Sequence, residues 1–156
     1  FIGWFLQSSA QTGYRQLIFE TSIKGIKVGN VMNEDIVYVP KDITVQDLVD
    51  DYFMIYRFGR FPVIEDEKTL KLIGIISLHD VKEVPKEEWS GVKVGDIVKQ
   101  ISDSEKVNLT MEISDAIRKM GKNNLSHLVV MSGNKLRGII TKSDVMRFIK
   151  IRSEFH

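Results

Sequence analysis

A seven-residue pattern occurs twice in this chain. Gly74-Ile75-Ile76-Ser77-Leu78-His79-Asp80 returns about 64 positions later as Gly138-Ile139-Ile140-Thr141-Lys142-Ser143-Asp144. Each copy is a glycine, two β-branched apolar residues, a hydroxyl residue, two variable residues and an aspartate. An apolar run follows each: Val81 and Val84 in the first, Val145, Met146, Phe148 and Ile149 in the second. The pattern describes a short buried strand that stops at the hydroxyl residue and turns into a helix, with the hydroxyl at the N-cap and the aspartate in the first turn. Ser77-x-x-Asp80 and Thr141-x-x-Asp144 fit a capping box, which accounts for each copy without any ligand. The same geometry also suits one. Free N–H donors and the positive dipole end favour phosphate, and the aspartate can accept from two sugar hydroxyls. Because the flanking residues repeat as well, the ligand gains ground over the cap alone.

The repetition extends outward, and internal repeats decide a fold before any single element does. Lys27-Val28-Gly29-Asn30-Val31-Met32 is answered by Lys93-Val94-Gly95-Asp96-Ile97-Val98. Ile36–Val39 alternates like a strand ending at Pro40. Thr44-Val45-Gln46-Asp47-Leu48-Val49 starts a helix capped at Thr44 or Asp42, and Glu112–Ile117 starts its counterpart, which runs to Met120 with Gly121 as its stop. Arg60–Ile64 aligns with Ser126–Val130 as a buried strand, so that His127 falls where Phe61 stands. Leu72–Ile76 and Leu136–Ile140 lead into the two motifs. Each repeat therefore reads strand, helix, strand, turn, strand, helix, an α/β (α+β) class. Repeat 1 spans 27–84, a linker 85–92, and repeat 2 spans 93–151. A repeat of about 60 residues buries little surface alone, so the two are expected to pack sheet to sheet with approximate twofold symmetry.

Residues 1–26 differ from the rest. Phe1, Ile2, Trp4, Phe5 and Leu6 are dense in apolar and aromatic side chains but too few to span a bilayer, which takes about 20 residues. Spacings among Tyr14, Leu17, Ile18 and Ile23 indicate an amphipathic helix from Gln11 to Ser22. It either packs on the domain behind it or ends a transmembrane span, with Trp4 and Tyr14 at the interface. The chain begins at Phe1 rather than Met, which points to a piece cut from something longer. A net charge of +1 supplies no field for nucleic acid, and the absence of cysteine removes any disulfide, thiolate metal site or thiol nucleophile.

As a set, the two Gly-h-h-[Ser/Thr]-x-x-Asp motifs, the paired Val-Gly-[Asn/Asp]-h openings and Phe61-Pro62-Val63 make the chain resemble a CBS domain pair, or Bateman module, over about Lys27–Ile151. That resemblance implies a regulatory module binding an adenine nucleotide, AMP, ADP or ATP, in a cleft between the repeats. By it, Ser77 or Thr141 meets phosphate, Asp80 or Asp144 takes the ribose hydroxyls, and Lys142 neutralises a phosphate. Adenine lies against Val37, Tyr38, Val39 and Val107, with His127 at the cleft edge. Leu78 and His79 replace the polar pair Lys142–Ser143, so the Thr141/Asp144 cleft is the better candidate. Pro40 and Pro62 have no counterpart at Asn108 and Leu128. Gly3–Gln7, Tyr14–Gln16 and Val84–Trp89 are similar to the segments after the last membrane span of site-2-protease-like zinc metalloproteases, in which a CBS pair forms a cytoplasmic tail. The resemblance implies an attached membrane protease that holds the zinc elsewhere, and a homodimer through CBS helices. An alternative is a constitutive dimerisation module without ligand, with Val145, Phe148 and Ile149 as its face.

Nothing in the chain forms a catalytic set. His79, His127 and His156 lack the i, i+4 spacing of a zinc helix. His127 is either a half-buried cleft-edge residue or a ligand contact, His79 a solvent-facing one. Ser77 has no glycine-flanked elbow and no base. Glu65-Asp66-Glu67 reads as a solvated turn, and Met111, Met120, Met131 and Met146 as core filler.

Overall fold

The computed structural model describes residues 23–155. The helix expected over Gln11–Ser22, together with Trp4, Tyr14 and His156, lies outside the described residues. In the first half, β1 (Val39–Pro40) pairs parallel with β2 (Arg60–Ile64), which pairs antiparallel with β3 (Leu72–Ser77). Parallel neighbours require a crossover. It consists of α1 (Val45–Leu48), a π-helical stretch Val49–Phe53 and α2 (Met54–Tyr56). Thr44 caps α1 by accepting from the Asp47 N–H at 3.1 Å, and Arg57 ends α2 in a left-handed conformation, φ 60°. The short α3 (Leu78–Lys82) follows β3. After α4 (Val94–Ile97), the second half repeats the plan: β4 (Lys106–Asn108), α5 (Ile113–Lys122), β5 (His127–Ser132), β6 (Lys135–Thr141) and α6 (Lys142–Glu154). The molecule is thus a mixed α/β pair of three-stranded sheets.

Three local expectations need correction. Ile36, Val37 and Tyr38 do not extend β1. Their alternation arises because Ile36 and Tyr38 pack into the layer between the sheets while Val37 packs on the first core. Gly121 does not stop α5, which continues to Lys122. The chain turns instead at Asn124, φ 54°, a residue that tolerates the left-handed region. The strand alignment also slips by one. Arg60 stands opposite Ser77 and His127 opposite Thr141, so His127 is the counterpart of Arg60, and Pro62 of Val129.

The two halves exchange their leading segments. Val28 and Gly29 N–H groups donate to Met111 and Leu109 carbonyls at 2.8 and 2.9 Å, and Ile23, Ile26 and Val28 are buried in the second core. Conversely, Val94 and Gly95 donate to Ile43 and Lys41 at 2.9 Å each, and Val94 is buried in the first core. The sequence repeat and the packed unit are therefore different sets of residues. Between the sheets, Ile64, Ile75, Val129, Met131 and Leu136 form a third cluster. There Leu72 N–H donates to Asn134 O at 3.1 Å and Leu136 N–H to Leu70 O at 2.8 Å, around a Lys71–Lys135 bridge. Each contact recurs with its roles exchanged, as a twofold relation between the halves requires.

Candidate functional site

Both motifs adopt the capping box. Asp144 N–H donates to Thr141 Oγ1 at 3.0 Å, and Thr141 N–H donates to Asp144 Oδ2 at 3.1 Å. In the first copy, Asp80 N–H donates to Ser77 Oγ at 3.3 Å, and Ser77 N–H and Oγ–H donate to Asp80 Oδ2 at 2.9 and 3.0 Å. Each carboxylate spends Oδ2 on its own cap, so what distinguishes the copies is Oδ1.

At Asp80, Oδ1 is taken. Lys99 Nζ lies 2.8 Å away, and Asp80 is only 6% exposed, the one buried charged residue among those described. Burial works to raise the Asp80 pKa. The Lys99 ammonium and the Ser77 donors outweigh it and hold the carboxyl below its usual range, while the same contact raises Lys99. At Asp144, Oδ1 meets only Arg147 Nη1, at 3.9 Å on the same helix, and the side chain is 21% exposed.

The difference traces to one position. Lys99 bridges onto β3: Ile75 N–H donates to Lys99 O at 3.0 Å and Lys99 N–H to Ile75 O at 3.4 Å. Asn33 makes the equivalent bridge onto β6, through Asn33 N–H to Ile139 O at 2.8 Å and Ile139 N–H to Asn33 O at 3.1 Å. Asn33 spends its side-chain oxygen on the Asp35 N–H at 3.0 Å.

The Asp80–Lys99 pair makes a pH-dependent contribution to stability. Because the folded Asp80 pKa is depressed, its contribution is present above the unfolded value of about 3.9 and is lost as pH falls through the folded value. The stability gap between wild type and Asp80→Asn in urea unfolding is expected to be widest at neutral pH and to close in acid. A gap that stays constant down to pH 2 would assign the loss to packing instead.

Asp144 opens onto a cavity of about 590 Å³ whose walls come from Asn33, Asp35–Val37, Phe58–Pro62, Ile75, Ser126–His127, Val129, Ile139 and Thr141. Of the residues singled out in the sequence, Thr141, Asp144, Val37 and His127 line it. Ser77 and Asp80 stand at the other motif. Tyr38 belongs to the layer between the sheets, and Val39 is enclosed in the first core. Val107 is buried in the second core and touches a separate cavity of about 450 Å³ beside Asp103, Lys106 and Lys119. Lys142 is exposed on the first turn of α6. Asn33, Asp35, Phe58, Gly59, Arg60 and Ser126 line the cavity without having been singled out. Arg60 is the strand counterpart of His127, an equivalence that only the ladder register reveals.

Arg60 Nη2 lies 3.9 Å from Glu105 Oε2, beyond hydrogen-bond range, and that oxygen is buried without a hydrogen-bond partner. Glu105 therefore holds Arg60 by charge alone. Burial, then the Arg60 charge, push the His127 pKa below its ordinary value against the opposing pull of Glu105. His79 is exposed and pairs with Glu83 at 3.1 Å. Of the face named for dimerisation, Val145 is 1% exposed, while Phe148 and Ile149 are half-buried and pack on the second core. Met146, in contrast, is 57% exposed and fills no core. Among the described residues no three metal-ligating side chains come together, and no helix is long and apolar enough to cross a membrane.

A family model for the CBS domain matches residues 28–87 and again 94–151. The chain belongs to the CBS domain family. The CBS domain is a regulatory fold. The chain is 27% identical over 150 residues to a zinc metalloprotease of Methanocaldococcus jannaschii, covering 96% of this chain and 40% of that protein. With Rip3 of Mycobacterium tuberculosis, which carries a zinc-metalloprotease name, identity is 24%, covering 97% and 38%. The chain thus spans about two fifths of these relatives' length. Among solved structures, the CBS domain of a bacterial CNNM/CorC family Mg2+ transporter in complex with ATP shares the fold at a TM-score of 0.69 and 17% identity, covering 89% of this chain and 97% of that one.

Proposed function

We propose that this CBS pair binds one adenine nucleotide, AMP, ADP or ATP, in the Thr141–Asp144 cleft and thereby regulates an attached membrane zinc metalloprotease. The observation that carries the reading is Asp144 Oδ1 at the mouth of an open cavity, met only by Arg147 at 3.9 Å, set against the Asp80 Oδ1 that Lys99 holds at 2.8 Å. Ribose is the group that suits Asp144: two adjacent hydroxyls donate to one carboxylate. Thr141 Oγ1 accepts from the cap, and its own proton remains to donate to a phosphate oxygen. Arg60, held only by charge, is a cation within the same walls, and Val37 and Ile36 offer an apolar surface to a base. A volume of about 590 Å³ falls within the size range of small-molecule sites. Support for the ligand class comes from the structural neighbour solved with ATP, and for the attached protease from the names of the relatives.

Regulation needs more than affinity. The nucleotide must bind one arrangement of the two halves better than another. The cleft permits this, since its walls come from both halves: Phe58–Pro62 from the first, Ser126, His127, Val129, Ile139 and Thr141 from the second. Titration calorimetry with AMP, ADP and ATP is expected to show one binding event per chain, and Asp144→Ala to weaken it by about tenfold or more, the scale of a lost charge-assisted hydrogen bond. No heat with any of the three at about millimolar concentration overturns the reading.

A second reading, a constitutive dimerisation element, draws on Met54 and Ile55, which are 69% and 66% exposed on α2. A ligand-free monomer in sedimentation equilibrium at high concentration excludes it.

A further inference from the structure

We propose that the bridge position occupied by Asn33 in one half and Lys99 in the other decides which cleft accepts a nucleotide. Asparagine leaves the carboxylate open, and lysine closes it by acting as an internal ligand. The inference rests on the Thr141–Asp144 reading and goes beyond it, because it names what limits the pair to a single nucleotide.

The equivalence of the two residues is structural. Each lies on the segment that one half lends to the other, and each makes a two-way backbone bridge to the residue after the motif glycine, Ile75 or Ile139. Each crosses that glycine closely. An added Cβ at Gly138 would lie 2.7 Å from the Asn33 carbonyl, and one at Gly74 would run into the Lys99 carbonyl. The backbones therefore deliver both side chains to the same place relative to their aspartates. Once there, chemistry decides. The Lys99 stem reaches Asp80 Oδ1 and leaves an ammonium on it at 2.8 Å. That is the oxygen a ribose would use, since Oδ2 is committed to the cap. Asn33 is shorter, carries no charge, and turns its oxygen to the Asp35 N–H. Asp144 Oδ1 is left with the Arg147 guanidinium alone, at 3.9 Å.

The lock can be moved. Asn33→Lys would place an ammonium beside Asp144, with Asp35 on the same turn as the competing carboxylate. Two readouts are needed, one without ligand. In the whole chain, Asn33→Lys is expected to lower affinity for ATP by about tenfold or more, and by clearly more than Asn33→Gln, which adds length without charge. By NMR titration of side-chain carboxyls, the Asp144 pKa is expected to fall in Asn33→Lys relative to wild type. If Asn33→Lys binds ATP as wild type does, or Asn33→Gln weakens binding equally, the lock is overturned and the nucleotide reading stands. If wild type binds no nucleotide, that reading fails, and the NMR arm decides the lock alone. A lowered Asp144 pKa supports it, whereas an unchanged one, or a shift confined to Asp35, overturns it. Thermal melting confirms that each variant is folded.

Discussion

Gly74→Ala is expected to destabilise the protein by on the order of 3 kcal/mol, the upper part of the range for overpacking a tight interior. The added methyl would sit against the backbone carbonyl of Lys99, with Val98 Cγ2 at 3.1 Å on another side. A side chain at such a contact can rotate away, but a carbonyl moves only with its chain. That chain is bridged to β3 through Ile75 and Lys99, and the bridge would have to open. The strain therefore spreads: pushing Lys99 back also draws its ammonium from Asp80, leaving a nearly buried carboxylate without its counter-ion. Gly121→Ala is the control. Gly121 lies inside α5 with nothing near the added atom, so alanine there is expected to be neutral or to stabilise by up to about 1 kcal/mol through helix propensity. Urea unfolding of the two variants measures the contrast. A Gly74→Ala protein as stable as wild type would show that the lent segment is not held against β3 as described.

How much of this was legible beforehand varies with the range of the signal. The two capping boxes were readable because a cap is local: four residues carry all of its chemistry. The buried strands were readable because β-branched residues cluster in them. The exchange of leading segments was not. The Lys27–Met32 and Lys93–Val98 openings repeat in sequence, but nothing in them states which sheet receives them. Both sheets offer the same free edge, so the choice is made by tertiary packing. Lys99 was missed for that reason. Counted along the chain it lies far past its aspartate, and only the exchange brings it to Asp80. The slip at Phe61 and His127 has another cause. Loops of unequal length separate the strands, and apolar residues on both sides of a buried strand leave the register open by one residue until the ladder is seen. Ile36–Tyr38 misled because a period of two arises wherever a segment lies between two apolar layers, whether or not it pairs.

The exchange also sets how the molecule should unfold, and Phe61→Ala tests that. Phe61 is 1% exposed, and its ring meets Phe53, Tyr52, Phe58 and Tyr56 at centroid distances of 5.2, 5.8, 5.8 and 6.2 Å. Three of these pairs are edge-on, the arrangement that aromatic quadrupoles favour. Truncation to alanine is expected to cost about 3–5 kcal/mol, since the backbone of a central strand cannot collapse into the space left. With two independent repeats, that loss would fall on the first alone. Here, however, Val94 and Lys99 belong in sequence to the second repeat and are packed on the first, while Ile26 and Val28 run the other way. Neither sheet keeps its full cover once the other has unfolded. A single unfolding transition is therefore expected in Phe61→Ala as in wild type, with circular dichroism and tryptophan fluorescence coinciding, because Trp89 packs on the first core while helix is spread over both halves. Two separated transitions, the later one at the wild-type midpoint, would refute the coupling. Phe61 also lines the cavity, so where the cavity takes the proposed nucleotide, a folded Phe61→Ala protein should bind it more weakly than wild type: the wall beside Arg60 and Phe58 is part of the same aromatic cluster that holds the first half together.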